Sequence, residues 1–299
     1  MNEFDWINAF RARMPAHPRV PLGIGDDAAI VSSASGDRLA MAVDTLIEGV
    51  HFVFDENPDY PPATPELAGR KALAVNLSDL AAMAAHPLAA VVGVVFDRRR
   101  GADFASRVMN GVRELAEEFD MAIVGGDTNT WNGPLMISVT VLGESATPMI
   151  TRNGSQVGDL IGVTGPLGGS RFGHHLKFTP RIRESHQLRT ALDIHAMIDV
   201  SDGLSSDLRH LLDAANVGAR VEAEAIPLKP ECDHWQNAFE DGEDFELLFT
   251  VAASDGPRLP TCKVPIHVIG TIEEPSVQEL IVAGVAQPFP DGGWNHRFD

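Results

Sequence analysis

Cysteine, tyrosine and positive charge are scarce in this chain. Among 299 residues there are two cysteines, Cys232 and Cys262, and one tyrosine. No Cys-x-x-Cys pair occurs and no spacing suggests a zinc site; two free thiols in a reducing cytoplasm are expected rather than a disulfide. Lys and Arg number 23 against 42 Asp and Glu, for a formal charge of −19. That balance argues against sequence-independent binding to nucleic acid or anionic membranes, so neither is expected as a partner. No apolar run is long enough to span a bilayer. The acidic start, Met1 to Asp5, lacks the basic and apolar segments of a signal peptide, and a cytoplasmic location is expected. A Gly-Lys-Ser/Thr phosphate loop is absent too, so any nucleotide must be held by other means.

What is present is ample core material, 44% hydrophobic residues with mean hydropathy near zero, and an unusual set of acids. Six short stretches set carboxylates beside glycine, serine or threonine: Gly23 to Asp27, Val43 to Thr45, Asn76 to Asp79, Gly125 to Thr128, Asp199 to Gly203 and Gly242 to Glu246. Several lie in apolar surroundings, where a merely solvated face would not place them. Taken singly, each reads as a turn with a side-chain cap. Brought together, they would repel one another unless cations intervened, and hard oxygen-seeking ions such as Mg²⁺ are the natural compensation. Mg²⁺ in turn favours phosphate-bearing ligands, which makes an ATP-using enzyme the leading reading.

The periodicity predicts a mixed α/β chain in two domains, 1–148 and 149–299. Helices are expected over Glu3 to Arg13, where Phe4, Ile7 and Phe10 recur, over Pro65 to Ala85, across Phe104 to Phe119, and from Leu204 to Leu212. Strands are expected at Leu39 to Val43, Val91 to Phe96, Met121 to Val124, Leu135 to Leu142, Leu160 to Val163, Ala196 to Val200, Phe245 to Val251 and Ile266 to Ile269. The boundary falls where Ser145 to Asp159 loses periodicity around Pro148, Gly154 and Gly158. Gly23-x-Gly25-x-x-Ala28 superficially matches a dinucleotide fingerprint, but Asp26 and Asp27 fill its middle and no strand clearly precedes it.

Longer strings carry a resemblance. Gly23-Ile-Gly-Asp-Asp-Ala-Ala29, Asp44-Thr-Leu-Ile-Glu-Gly-Val-His-Phe52 and Lys71-Ala-Leu-Ala-Val-Asn-Leu-Ser-Asp-Leu-Ala-Ala-Met83 closely resemble the thiamine-monophosphate kinase family. So do Gly125-Gly-Asp-Thr128, Thr151-Arg152 followed by Gly158-Asp159, Ile198-Asp-Val-Ser-Asp-Gly-Leu204, Gly242-Glu-Asp-Phe-Glu-Leu-Leu-Phe249 and Gly293-Trp294, in order over nearly the whole chain.

The resemblance implies a two-domain, mixed α/β fold like that of aminoimidazole ribonucleotide synthetase, with the N-terminal sheets paired in a homodimer. It implies transfer of the γ-phosphoryl group of ATP to thiamine monophosphate, with several Mg²⁺ ions. Metal positions would fall on Asp27, Asp44, Thr45, Asp79, Asp127, Asp199 and Asp202, and the chemistry would rest on the metal-binding Asp44 and Asp127 without a general base. ATP contacts would fall on Gly126, Asp127, Arg152 and Ser201, and substrate contacts on His51, Glu243 and Trp294. Trp294 could stack on a heteroaromatic ring, and Glu243 could pair with an amine or cation.

Three departures stand out. Ala42-Val43 replace a hydroxyl residue before Asp44, Asn129 to Asn132 stands where threonine-arginine is commoner, so that a basic side chain is missing, and the segment between Gly169 and Asp199 is short. Aminoimidazole ribonucleotide synthetase is the enzymatic alternative, disfavoured by the Glu48-Gly-Val-His-Phe52 block. Selenophosphate synthetase would need an N-terminal cysteine, and the hydrogenase-maturation dehydratase a C-terminal one, where this sequence reads Arg297-Phe298-Asp299. A nucleotide- or thiamine-binding protein without activity is the remaining alternative.

Overall fold

A computed structural model describes residues 3–58 and 60–294. The expectations resting on Met1, Asn2 and Arg297 to Asp299, and on the Phe4 side chain, lie outside what is described. Helix α1 (Glu3–Arg11) opens the chain. It is less buried than an amphipathic reading suggests, for Trp6 and Phe10 are exposed and stack on each other at 5.6 Å.

The first sheet holds β1 (Ala29–Ser32), β2 (Arg38–Ile47), β3 (His86–Asp97), β4 (Ala122–Trp131) and β5 (Met136–Glu144), in the order β1-β2-β5-β3-β4. Only the β3–β4 pair is parallel, and α3 (Gly101–Glu118) supplies its crossover. Helix α2 (Pro65–Ala82) lies beneath this sheet. Thr64 caps it by accepting the Leu67 amide hydrogen at 3.2 Å, and Pro65 takes the first turn, where a missing N–H costs nothing. Alanines and leucines cover nearly its whole circumference, so it is buried on all sides. It contacts β2 and β5 of the first sheet and also α4 (Ile182–Ala191) and β7 (Ile194–Asp199) of the second half.

The second sheet adds β6 (Leu160–Val163), β8 (Gly218–Glu222), β9 (Leu247–Val251), β10 (His267–Glu273), β11 (Gln278–Val282) and β12 (Val285–Pro288), ordered β12-β11-β8-β10-β6-β9-β7. Helices α5 (Leu204–Ala215) and α6 (Trp235–Glu240) complete the half. Asn216 ends α5 in the left-handed region, as its sequence position suggests. No described helix is long and apolar enough to cross a membrane, and both cysteines are free.

Several elements escape the periodicity reading. Helix α4 is polar, and β1, β8, β11 and β12 are short, so neither gives a clear period. The largest difference concerns Gly125-Gly-Asp-Thr128. The sequence suggests a tight turn there, yet the residues continue β4 as an extended edge strand.

Candidate active site

The acids converge where α2 passes between the sheets. Asp79, from the last turns of α2, Asp27, from the loop before β1, and Asp199, at the end of β7, offer carboxylate oxygens within 4.8 Å of one another. Ser78 fixes Asp199 by donating to Oδ2 at 2.5 Å. Asn76 accepts the backbone N–H of Asp44 at 3.0 Å and holds that part of β2 against the helix. The Asn76 to Asp79 string is thus a set of three polar teeth on a buried helix, each engaging a different neighbour.

Burial makes these carboxyls hard to ionise. Asp44 is pushed up to about 6 by desolvation. Asp199 reaches about 7 through desolvation and the charge of Asp27. Asp79, desolvated and facing Asp44, Asp199 and Asp27, lies well above the ordinary carboxylate range. Asp26 is raised to about 7 by desolvation and by Asp27. The counter-charge is Arg152, whose guanidinium donates to Asp27 at 2.7 Å and 3.3 Å while its backbone N–H donates to Asp26 at 3.1 Å. A set of buried, all-oxygen donors with too little positive charge fits Mg²⁺.

The folded-state values give a sign for stability. Between the ordinary carboxylate value of 3.8 and about 7, folded Asp44, Asp199 and Asp26 hold more protons than the unfolded chain. Stability of the metal-free protein therefore falls as pH rises through that window, and Asp79 and Asp207, held well above the ordinary range by desolvation and neighbouring acids, extend the fall. The ion-paired Glu66 and Asp97, both lowered to about 2, act in the opposite sense below the ordinary carboxylate range. The desolvated His175, His186 and His210, lowered from 6.5 to about 3, 4 and 4, oppose the acids up to about 6.5. The raised acids, Asp79 and Asp207 among them, outweigh these histidines. Melting in EDTA should come at a higher temperature at about pH 5.5 than at about pH 8. A melting temperature that climbs over this interval would contradict the raised carboxyls.

A cavity of about 460 Å³ opens from Asp44, Asp79, Asp199 and Asp202 toward His51, Glu243, Phe245 and Trp294. Three loops interlock along its wall. Glu243 N–H donates to the Ser201 carbonyl at 2.7 Å, Phe245 N–H to the Val200 carbonyl at 2.8 Å, and Trp294 N–H to the Asp202 carbonyl at 2.9 Å. Gly203, at φ +105°, and Gly242, at φ +68°, permit this approach, because a Cβ would lie 2.6 Å from the Phe239 carbonyl oxygen and 2.8 Å from that of Ser201. Asp207 anchors the 201–203 turn by accepting both the Asp202 and Gly203 N–H at 3.1 Å.

The Gly242 to Glu246 motif divides its acids by direction. Asp244 is buried against Lys229, Ser170 and the Gly168 N–H. Glu246 is buried against Arg181 and Thr164. Glu243 alone borders the cavity, and it does so from a φ of +55°, a strained value for a non-glycine residue.

Most residues singled out from sequence meet here: Asp27, Asp79 and Asp199 as a cluster, and Asp44, Asp202, Ser201, His51, Glu243 and Trp294 around the cavity. Arg152 stands beside Asp27 and faces a second cavity, lined also by Trp6, Phe10, Arg11, Arg209 and His210. Three residues expected in the site, Thr45, Gly126 and Asp127, stand apart from the cluster within one chain. Thr45 borders the first cavity, but its hydroxyl donates to Ser138 at 2.9 Å, because successive strand residues face opposite ways. Asp127 and Gly126 do not join the cluster within one chain. The register runs Asp44 to Val139, Val139 to Val92 and Val92 to Gly126, so β5 and β3 intervene. At three strand spacings the separation is about 14 Å. Asn129 donates to Asp127 at 2.8 Å.

Sequence reasoning gave no role to Lys71, Asn76, Ser78 or Asp26. The signal for Lys71 was available: a lysine inside an alanine-leucine helix buried on all sides requires partners.

Residues 25–145 match AIR synthase related protein, N-terminal domain, and residues 153–282 match its C-terminal domain. Thiamine-monophosphate kinase of Rhodopirellula baltica is 36% identical over 288 residues, covering 90% of this chain and 89% of that protein. The Bacillus subtilis enzyme of the same name is 31% identical, covering 94% of each. A solved structure described as AaThiL complexed with AMPPCP and TMP superimposes with a TM-score of 0.84 at 27% identity, covering 99% of this chain and 97% of the other. The chain belongs to the AIR synthase related family, in its thiamine-monophosphate kinase branch.

Proposed function

We propose that the protein transfers the γ-phosphoryl group of ATP to the phosphate of thiamine monophosphate, forming thiamine diphosphate and ADP. The observation that carries this reading is a single cavity with a carboxylate cluster at one end and Glu243, His51 and Trp294 at the other. The relatives that are 31% and 36% identical over most of their length are thiamine-monophosphate kinases, and the related solved complex holds AMPPCP and TMP.

The length of the site suits that substrate. Lys71, Val75 and Asp79 fall on one stripe of α2, at i, i+4 and i+8, which spans about 12 Å along the axis. Val75 and Asp79 line the cavity, and Lys71 holds Glu243 at the far end. A ligand lying along the stripe can place its phosphate near the acids and its amino-heterocycle near Glu243.

Asp27, Asp79 and Asp199, with Asp44 and Asp202 nearby, would hold Mg²⁺, which supplies positive charge to two polyanions that must meet in line. The acceptor is itself a phosphate whose second ionisation lies near pH 6, so it reaches the site as an anion without a protein base. The work left to the side chains is orientation: Ser78 on Asp199, Asn76 on the Asp44 strand, and Asp207 on the turn that carries Ser201 and Asp202. Arg152 keeps Asp27 in place and stands where the nucleotide phosphates would approach from the second cavity.

The functional unit in this reading is a homodimer in a cytoplasmic setting. The face of the first sheet away from α2 exposes Met41, Val43 and Val91, and every residue of the edge strand β4 is exposed. Long apolar edges are ordinarily covered in soluble proteins. A second copy that covers this face and reaches around the β1–β2 edge would bring its Asp127 toward the cluster of the first chain, supplying the acid that one chain alone keeps apart.

A coupled assay for ADP tests the activity. ADP should appear only when ATP, thiamine monophosphate and Mg²⁺ are all present, stop in EDTA, and resume with excess Mg²⁺. Release without thiamine monophosphate, or turnover that survives EDTA, would remove this reading.

A further inference from the structure

We propose that Lys71, backed by His175, is a positioning residue for acceptor recognition: it touches no substrate but fixes Glu243 and the His51 turn. The proposal rests on the thiamine monophosphate reading above.

Lys71 is fully buried. An ammonium taken out of water needs an acceptor for each of its three N–H groups. Nζ finds them in the His51 carbonyl at 2.6 Å, Glu243 Oε1 at 2.5 Å and His175 Nδ1 at 2.9 Å. These partners come from three separate places: the turn after β2, the Gly242 to Glu246 loop, and the short helical turn His174–Leu176. One side chain on α2 therefore ties both halves of the protein together behind the acceptor end of the cavity.

His175 explains why this arrangement is specific. For Nδ1 to accept from Lys71 the ring must be neutral, with its hydrogen on Nε2. Burial and the neighbouring Lys71 charge keep it neutral, lowering its pKa to about 3. Nε2 is then a buried donor that meets no partner. An unsatisfied buried N–H is unfavourable, and in this tautomer the bond from the Lys71 ammonium to Nδ1 offsets it. Glu243 Oε2 lies 3.3 Å from the same Nδ1, so the ammonium sits among an imidazole lone pair and a carboxylate and holds both.

The consequence is chemical. A carboxylate paired with an ammonium can only accept hydrogen bonds, so Glu243 reads an N–H donor, such as the amino group of the acceptor's heterocycle. Its backbone strain and the Lys71 bond together fix its direction. Without Lys71 the carboxylate would be free to turn away, and the His51 turn would lose the tether on its carbonyl.

The test is a double-mutant cycle on the full-length protein, reading KM for thiamine monophosphate and for ATP. Lys71→Met should raise KM for thiamine monophosphate about tenfold or more, the loss expected of one charge-assisted hydrogen bond, with KM for ATP within about twofold. Glu243→Gln should act in the same direction. The double variant should be no worse than Glu243→Gln alone, because Lys71 acts largely through that carboxylate. Effects that multiply, an equal rise in KM for ATP, or an unchanged KM in Lys71→Met would each overturn the proposal. If Lys71→Met does not fold, His175→Leu decides: removal of the Nδ1 acceptor should raise KM for thiamine monophosphate several-fold, and an unchanged value would overturn the proposal. A parent protein that releases no ADP with thiamine monophosphate would instead refute the proposed function.

Discussion

Asp79→Asn is expected to lower kcat by about a thousandfold or more while raising the melting temperature of the metal-free protein. Asp79 stands at the centre of the repulsive set, with Asp44, Asp199 and Asp27 all raising its pKa on top of desolvation. Asparagine keeps the shape and one carbonyl oxygen but removes the charge. In the absence of metal asparagine spares the fold the cost of holding that carboxyl protonated or repelled among three acids, so the fold gains. In its presence a ligand oxygen with full negative charge is gone, and the several kcal/mol that divalent cations contribute at phosphoryl centres are compromised. The two readouts should move in opposite directions. A second signature follows by linkage: Mg-ATP should raise the melting temperature of the parent and do so much less in the variant. A variant that loses activity because it is less stable in EDTA would assign Asp79 to folding. A variant with parental kcat would remove the cluster from the mechanism.

The sequence exposed this cluster more readily than it exposed the geometry around it. Glycine-acid strings give a local signal, since a carboxylate amid alanine and leucine is out of place whatever the fold. The long helices α2 and α3 and the alternating β5 were legible for the same local reason, a sustained period. Chain separation was invisible. Nothing in Gly125-Gly-Asp-Thr128 tells that its strand lies at the edge, two strands from β5, and the glycines favour a turn when read alone. Thr45 illustrates a finer limit: adjacency to Asp44 in sequence suggested a shared site, whereas the strand pleat sends the two side chains apart. Lys71 was within a recognised string yet drew no role, because its partners come from residues 51, 175 and 243, which only the fold assembles.

Mixing two inactive variants should restore activity if Asp127 serves the partner's cluster. Asp44→Asn and Asp127→Asn are each expected to be nearly inactive as homodimers. In a heterodimer, one site combines both substitutions and the other combines neither. That second site takes its own Asp44 from the Asp127→Asn chain and Asp127 from the Asp44→Asn chain, so it is complete. Random exchange of equal amounts makes half of the dimers mixed, each with one intact site of two, and recovers about a quarter of parental activity. The argument depends on position. Asp127 lies about 14 Å from Asp44 across two intervening strands, and β4 is exposed along its whole length, open to another copy. Co-expression with two affinity tags, or refolding of the mixture, ensures exchange, and sedimentation should place the parent near twice 32.2 kDa. A parent that sediments as a monomer while fully active would exclude sharing. So would a mixed dimer, purified on both tags, that shows no more activity than its parents, because Asp127 would then act within its own chain or not at all.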